Sequence, residues 1–315
     1  MKVDRACIST DVDAQVSDEQ KLRLLKAFER KISDLPMLPS VVARFVSMNP
    51  NADDYFEKVR GLASEDPPFA VRLIQLANSP AYSPVKPITT IAAAITRIGV
   101  NAVAGLVTSM AVMRVFVPTH EGQKKLWVHS IEVAVGARMI ANLLDERGLA
   151  DTAYLVGLMH DIGRFIMFEQ TSAALNKVEE THWQTVDALL QAELDVFRFS
   201  HSELGFLACS KWHFPELIAD VVRYHHNRFE LHESGLSKDT ERLLFFVQLS
   251  DLLSVSLLGR DDYQEMDQAA MEAVVSEHCI RPEWQALSLS ATALARLSKK
   301  VRAESHQMAE SLGVL

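Results

Sequence analysis

Residues 66–84 read DPPFAVRLIQLANSPAYSP. Phe69, Leu73 and Ala77 recur at intervals of four with Ala70 and Ile74 beside them, while Arg72 and Gln75 fall on the other side. That spacing predicts an amphipathic helix. Pro67 and Pro68 stand where a first helical turn tolerates proline, and Ser79-Pro80 and Ser83-Pro84 close the segment. The same recurrence at three and four returns in VVARFVSM (41–48), ITTIAAAITRI (88–98) and IEVAVGARMIANLL (131–144), with Pro36, Pro39 and Gly99 as breaks. Runs of strict alternation are absent, so an all-α protein of roughly fifteen short helices is expected.

The chain of 315 residues, 48% hydrophobic and 23% charged, has the composition of an ordinary globular protein, with no low-complexity tract and no internal repeat. Thirty-two basic against 41 acidic residues give 32 − 41 = −9, a sign that repels a phosphate backbone, so nucleic acid is not an expected partner. The basic cluster Arg296, Lys299, Lys300 and Arg302 reads as one solvated helix face. Cys7, Cys209 and Cys279 form no CxxC pair and imply neither a disulfide framework nor a zinc ribbon. The N-terminus lacks the apolar core of a signal peptide. The longest apolar stretch, Ile98 to Met113, falls short of the ~20 residues of a membrane span. A cytoplasmic protein with no membrane partner is therefore expected.

Nine of the eleven histidines lie between His120 and His232, which invites a metal hypothesis. The candidates are His129 in LWVHSIEV, His160 and Asp161 in GLMHDIGR, His201 in FSHSELG, His225 and His226 in VVRYHHNRF, and Asp251 in VQLSDLLS. Each lies in or at the end of a strongly apolar helix. A buried, unpaired carboxylate costs several kcal/mol, on the order of the loss from breaking a buried ion pair. A divalent cation shared with neutral imidazoles would satisfy Asp161 and Asp251 together. His160 and Asp161 are about 100° apart on a helix, so both reach one ion only where the helix ends, and Gly163 is placed to end it. The aromatics Trp127, Phe165, Trp212 and Tyr224 read as core, Cys209 as a small buried hydrophobe, and Asn78, Ser79 and Tyr82 as a helix exit. Glu203 reads either as a partner of a ligand histidine or as a solvent-facing side chain. Neither GxxxxGK nor GxSxG occurs.

The stretches LPMLPSVVARFVSM and LASEDPPFAVRLIQLANSPAYSPVKPITTIAAAITRIGVNAV, from Leu35 to Val103, resemble the N-terminal signature of the HDOD family, a branch of the HD superfamily of metal-dependent phosphohydrolases. The resemblance implies a multi-helical HD-like fold with two helical subdomains, 21–118 and 119–258. Residues 1–20 would be an N-terminal extension, and 259–315 a C-terminal helical extension outside the resemblance. Matched to the related HD-GYP pattern, His129, His160, Asp161 and Asp251 would hold one metal. Asp161 would bridge to a second ion completed by His201 and one of His225 or His226. The chain departs from that pattern at Lys125, where a third-metal carboxylate would stand, and at HSELG, which continues as FLACSKW without the GYP loop. One or two ions of iron, manganese, nickel or zinc are therefore expected, and hydrolysis of cyclic di-GMP has no motif.

Two functions of different class follow from the resemblance. In one, the protein is a metal-dependent phosphohydrolase acting on a nucleotide or another phosphoester, with Asp161 at the ions and Lys125 or Arg164 contacting the phosphoryl group. In the other it is a non-catalytic regulatory or scaffold module that controls signalling partners. No oligomeric state is implied.

Overall fold

The computed structural model describes residues 52–65, 67–78, 87–181, 185–227, 235–281 and 289–315, with the single positions 26, 28, 44, 48, 82 and 284. The helix expected in VVARFVSM lies almost wholly outside the described residues, as does Ser79. No strand occurs among the described residues, and the all-α expectation holds.

The chain forms two compact units, one of residues 37–159 and 242–315, the other of residues 1–36 and 160–241. The boundaries read from sequence, at 20, 118 and 258, follow chain order. The units divide the chain at 36, 159 and 241, because helices distant in sequence pack together.

In the first unit α1 (Tyr55–Ser64), α2 (Pro67–Ala77), α3 (Ile91–Ile98) and α4 (Val100–Met113) precede a 23-residue helix, α5 (Glu121–Leu143). The helix read from residues 66–84 is α2, and Asn78 forms its exit. The Asn78 side-chain amide donates to the carbonyls of Ile74 (2.8 Å) and Ile88 (2.7 Å), and its oxygen accepts from the Ile88 N–H (2.8 Å). The Thr90 hydroxyl caps α3 by accepting from the Ala93 N–H at 3.2 Å. Gly99, at φ 98°, joins α3 to α4 in a backbone region that L side chains avoid. The chain bends by 109° there, so α3 and α4 do not continue as one long apolar helix. No single helix among the described residues is long and apolar enough to cross a membrane.

Helix α5 is the core of this unit. Ile131, Val133, Ala134, Val135, Ala137, Ile140 and Ala141 are all fully buried, so the helix is buried over most of its circumference, and Glu132 and Arg138 are buried with it. It packs along α6 (Ala150–Met159) on one side and along the C-terminal helix α13 (Ala291–Leu312) on another. After residue 241 the chain re-enters the unit within α11 (Lys238–Leu253), whose end widens into a π-helical turn, Ser254–Leu258. Then comes α12 (Gln268–His278), whose N-terminus is capped by Asp267 through the Ala270 N–H. Ser290 caps α13, and Gly313 closes it in the left-handed conformation.

The second unit contains α7 (Ile162–Glu179), α8 (Val186–Phe197), α9 (His201–Lys211) and α10 (Glu216–Tyr224). α9 packs against both α7 and α10, and α8 packs against α7. Gly163 does not end a helix as expected; it is the second residue of α7. A Cβ there would lie 1.9 Å from the His201 carbonyl oxygen. Its absence lets α7 lie against the first turn of α9, which outweighs the usual preference of glycine for helix ends. The helix does stop where the sequence requires, because His160 and Asp161 form the turn between α6 and α7.

Candidate metal centre

Of the residues singled out in the sequence, His160, Asp161, Arg164, His201, His225 and His226 lie in the second unit, and Lys125, His129 and Asp251 in the first. In the second unit, one donor atom each from Asp161, His201, His225 and His226 lies within 4.8 Å of the other three. His201 is the first residue of α9, and Ser200 before it sets the start of that helix. The Ser200 hydroxyl accepts from the Glu203 N–H (3.2 Å), and the Glu203 carboxylate accepts from the Ser200 N–H (3.0 Å). Glu203 thus closes a capping box. The partner of His201 is a residue the sequence reading does not single out, Glu193 on α8.

Glu193 is completely buried, and its carboxylate accepts from the His201 backbone N–H at 2.8 Å and from the ring Nδ1 at 2.7 and 2.9 Å. A signal for it exists in VDALLQAELDVF, where Leu189, Glu193 and Phe197 share one stripe at intervals of four. A carboxylate on an apolar stripe needs a partner inside the fold.

These contacts assign the protons. Glu193 as a carboxylate only accepts, so His201 carries hydrogen on Nδ1. His225 Nδ1 lies 2.7 Å from the Val222 carbonyl oxygen, which also only accepts, so His225 carries hydrogen on Nδ1 as well. In their neutral forms both rings present a bare Nε2. Yet the two Nε2 atoms are 3.2 Å apart, His226 Nε2 is 3.0 Å from that of His201, and Asp161 Oδ1 lies 3.2 Å from His201 and 3.7 Å from His225. Acceptors thus converge on one point, an arrangement that a positive charge among them relieves.

In the metal-free protein that charge is a proton. Burial alone would lower the His201 pKa, but the Glu193 and Asp161 carboxylates raise it to about 10. Burial and the neighbouring imidazoles push His226 well below its ordinary value. Burial also lowers His225, against the pull of Asp161. Asp161 is held well below the usual carboxylate range, because His160 and His201 outweigh its burial.

A divalent cation fits the same place. Metal–imidazole bonds of about 2.0–2.1 Å allow donors of one ion to stand up to ~4 Å apart. The Nδ1 bonds to Glu193 and Val222 are of the kind that orient imidazoles at metal sites. Asp161 has a second face. Its Oδ2 lies 3.8 Å from His160 Nε2 and 4.0 Å from the Arg164 guanidinium, while Oδ1 faces the other histidines. The His160 ring stands edge-on to His225, 5.1 Å between centroids.

The aromatics named above are core side chains in part: Trp127, Phe165 and Trp212 are buried, and the Trp127 indole N–H donates to the Phe116 carbonyl at 3.0 Å. Cys209 is fully buried, and burial pushes its thiol up to about 12.

Residues 35–228 match the HDOD domain family, more than half of the chain. The protein belongs to the HDOD family. Its fold is shared with the HDOD domain protein of unknown function from Geobacter sulfurreducens, at TM-score 0.69 and 24% identity over 93% of this chain and 99% of that one. It is shared also with a "putative phosphohydrolase" from Shewanella amazonensis SB2B (TM-score 0.64, 20% identity, 91% of this chain and 98% of that one). A "putative signal transduction protein" from Marinobacter aquaeolei VT8 has the HDOD fold as well, at TM-score 0.65 and 19% identity over 94% of this chain and 66% of that one. In sequence, an uncharacterized protein of Treponema pallidum (strain Nichols) is 22% identical over 290 residues, which are 91% of this chain and 55% of that protein. The chain therefore spans just over half the length of that relative.

In the first unit, His129 on α5 and Asp251 on α11 face each other, with His129 Nε2 3.4 Å from Asp251 Oδ1. Lys125 is exposed one turn before His129. This HDOD chain thus has a histidine and aspartate cluster able to hold a divalent metal ion.

Proposed function

We propose that this HDOD protein is a cytoplasmic signal-transduction protein whose histidine and aspartate cluster binds one or two divalent transition-metal ions and hydrolyses a phosphoester, nucleotides included. One observation supports it above the rest: the Nε2 atoms of His201 and His225 point at each other and at Asp161 within 3.7 Å, while Nδ1 of each ring is held by an acceptor outside the cluster. A site built for a cation has that form.

His201, His225, His226 and Asp161 Oδ1 would hold the first ion, and His160 with Asp161 Oδ2 would begin the set for a second. The family pattern assigns His129 and Asp251 to the same ion as His160, and that assignment rests on the pattern. Iron, manganese, nickel or zinc suits imidazole with bridging carboxylate. Such ions supply Lewis-acid polarisation of a phosphoryl oxygen and a nucleophile available at neutral pH. The side chains do the rest. Glu193 keeps the His201 ring in one tautomer, and Asp161 spans the two donor sets. Arg164, three residues beyond Asp161, offers a guanidinium to a phosphate oxygen. Lys125 is an exposed positive group one turn from His129.

A second reading has its own observation. With His201 protonated between Glu193 and Asp161, the cluster closes without any ion. The HDOD domain would then be a regulatory module whose protonation or metal state governs signalling partners. In either reading the domain extends over residues 21–258.

Elemental analysis of protein prepared with these metals present, together with turnover of bis(p-nitrophenyl) phosphate and nucleotides, separates the two. Wild type is expected to carry metal and to turn over substrate, and His160→Ala and Asp161→Ala to lose both. Metal without turnover leaves the regulatory reading. A metal-free wild type removes the enzyme.

A further inference from the structure

In the first unit a chain of four side chains runs from the C-terminal helix to His129. Arg302 on α13 donates to Glu132 Oε1 at 2.8 Å. The Ser254 hydroxyl donates to Glu132 Oε2 at 2.6 Å, and Ser254 Oγ lies 3.0 Å from His129 Nδ1. Glu132 and Ser254 are buried, 4% and 3% exposed, so water does not substitute for these bonds.

The direction of each bond follows from its donor. Arg302 has only hydrogens to give, and Glu132 as a carboxylate has only acceptors. A serine has one hydrogen, and the short bond to Glu132 uses it. Ser254 Oγ must then accept, so His129 is the donor and carries hydrogen on Nδ1. In the neutral ring Nε2 is then the lone-pair atom, and it faces Asp251.

We infer that Arg302 is a positioning residue: through Glu132 and Ser254 it holds the neutral His129 ring in the tautomer whose hydrogen is on Nδ1 and whose lone pair is on Nε2. Local geometry explains the arrangement. Glu132 stands one turn beyond His129 on α5, and Asp251 and Ser254, three apart, share one face where α11 widens into the π-helical turn. The two nitrogens of one ring are thereby gripped from one short segment. Burial pushes the Glu132 carboxyl up, and Ser254 and Arg302 hold it back. A proton on Glu132 would reverse the bond to Ser254 and then the bond to His129.

Arg302 is itself held in place, with a second contact to the Leu258 carbonyl at 3.3 Å and its guanidinium 5.7 Å from the Tyr263 ring centre. Two residues further along α13, Glu304 pairs with Arg138 of α5. The pairs have opposite polarity, so a slip of α13 along α5 would bring like charges together. The C-terminal helix, which lies beyond the matched HDOD region, thus acts on a residue within it.

That this tautomer serves metal binding rests on the reading proposed above; the tautomer itself does not. The test is therefore run first without metal. In histidine-labelled, metal-free protein, long-range nitrogen–carbon NMR at a pH where the ring is neutral is expected to show His129 with hydrogen on Nδ1. Ser254→Ala and Arg302→Met should move the hydrogen toward Nε2, where Asp251 accepts it. Arg302→Lys should restore the wild-type form. Glu304→Gln, which breaks the neighbouring pair, should leave His129 unchanged and so controls for loosening of α13.

Titration with zinc(II) then follows, with an affinity loss of about 10–100-fold expected for Ser254→Ala and Arg302→Met and recovery in Arg302→Lys. An Nε2–H tautomer in wild type, or one that ignores both substitutions, overturns the inference. A wild type that shows the expected tautomer response but binds no zinc overturns only the metal reading.

Discussion

The two units solve the same problem differently. In the unit holding His201, a buried carboxylate binds the ring Nδ1 directly, and Glu193 with Asp161 raises the imidazole to about 10. In the unit holding His129, the carboxylate of Glu132 acts through a serine, and an arginine from the C-terminal helix balances its charge. Both devices leave Nε2 as the outward atom. The direct one also strengthens the base and stores a proton when no metal is bound. The relayed one puts a serine hydroxyl, not a carboxylate, on Nδ1.

The largest expected effect strikes the first device at its centre. Asp161→Ala removes the oxygen shared by His201 and His225 together with the one facing His160, and metal content by elemental analysis should fall to background. Metal retained at the wild-type level would mean that the cluster is not the site. Gly163→Ala comes next, since its Cβ cannot stand 1.9 Å from the His201 carbonyl without moving α7 from α9. Overpacking of this kind costs about 3 kcal/mol, readable as a lowered urea midpoint.

Glu193→Gln sharpens the contrast, because it keeps the shape and removes the charge. Affinity for metal should drop about 10–100-fold, and the metal-free protein should lose a distinctive pH dependence. His201 has its pKa raised in the folded state, so its contribution to stability is complete below the unfolded value of 6.5 and disappears as pH climbs through about 10. Metal-free wild type should therefore melt at progressively lower temperature across that window. The Glu193→Gln variant should show a flatter curve, and identical curves would refute the assignment of the proton to His201.

Smallest of all is Lys125→Ala. Its side chain is exposed on α5, so metal content and melting temperature should stay at wild-type values. Any deficit should appear in phosphoester turnover alone.

Much of this is legible in the chain itself. Periodicity and proline placement announce helices, and α2 runs between the breaks read in residues 66–84. The donor residues are visible because histidine and aspartate are conspicuous in apolar helices. Glu193 is easily passed over, although its stripe with Leu189 and Phe197 marks it. Glu203 draws attention instead because it stands near His201 in sequence, yet its carboxylate closes a helix. Gly163 misleads for a related reason, since a glycine near a helix break is ambiguous until the neighbouring helix is in place.

Ser254 and Arg302 give no sign of their role. Arg302 groups by spacing with Arg296, Lys299 and Lys300 as a solvated face, yet its guanidinium reaches Glu132. Side-chain spacing along one helix is a local property and is written in the chain directly, so helix positions and donor types can be read from it. Proton direction, tautomer and close helix approach depend on which atoms from distant segments meet at hydrogen-bonding distance. Those meetings arise only when the helices pack.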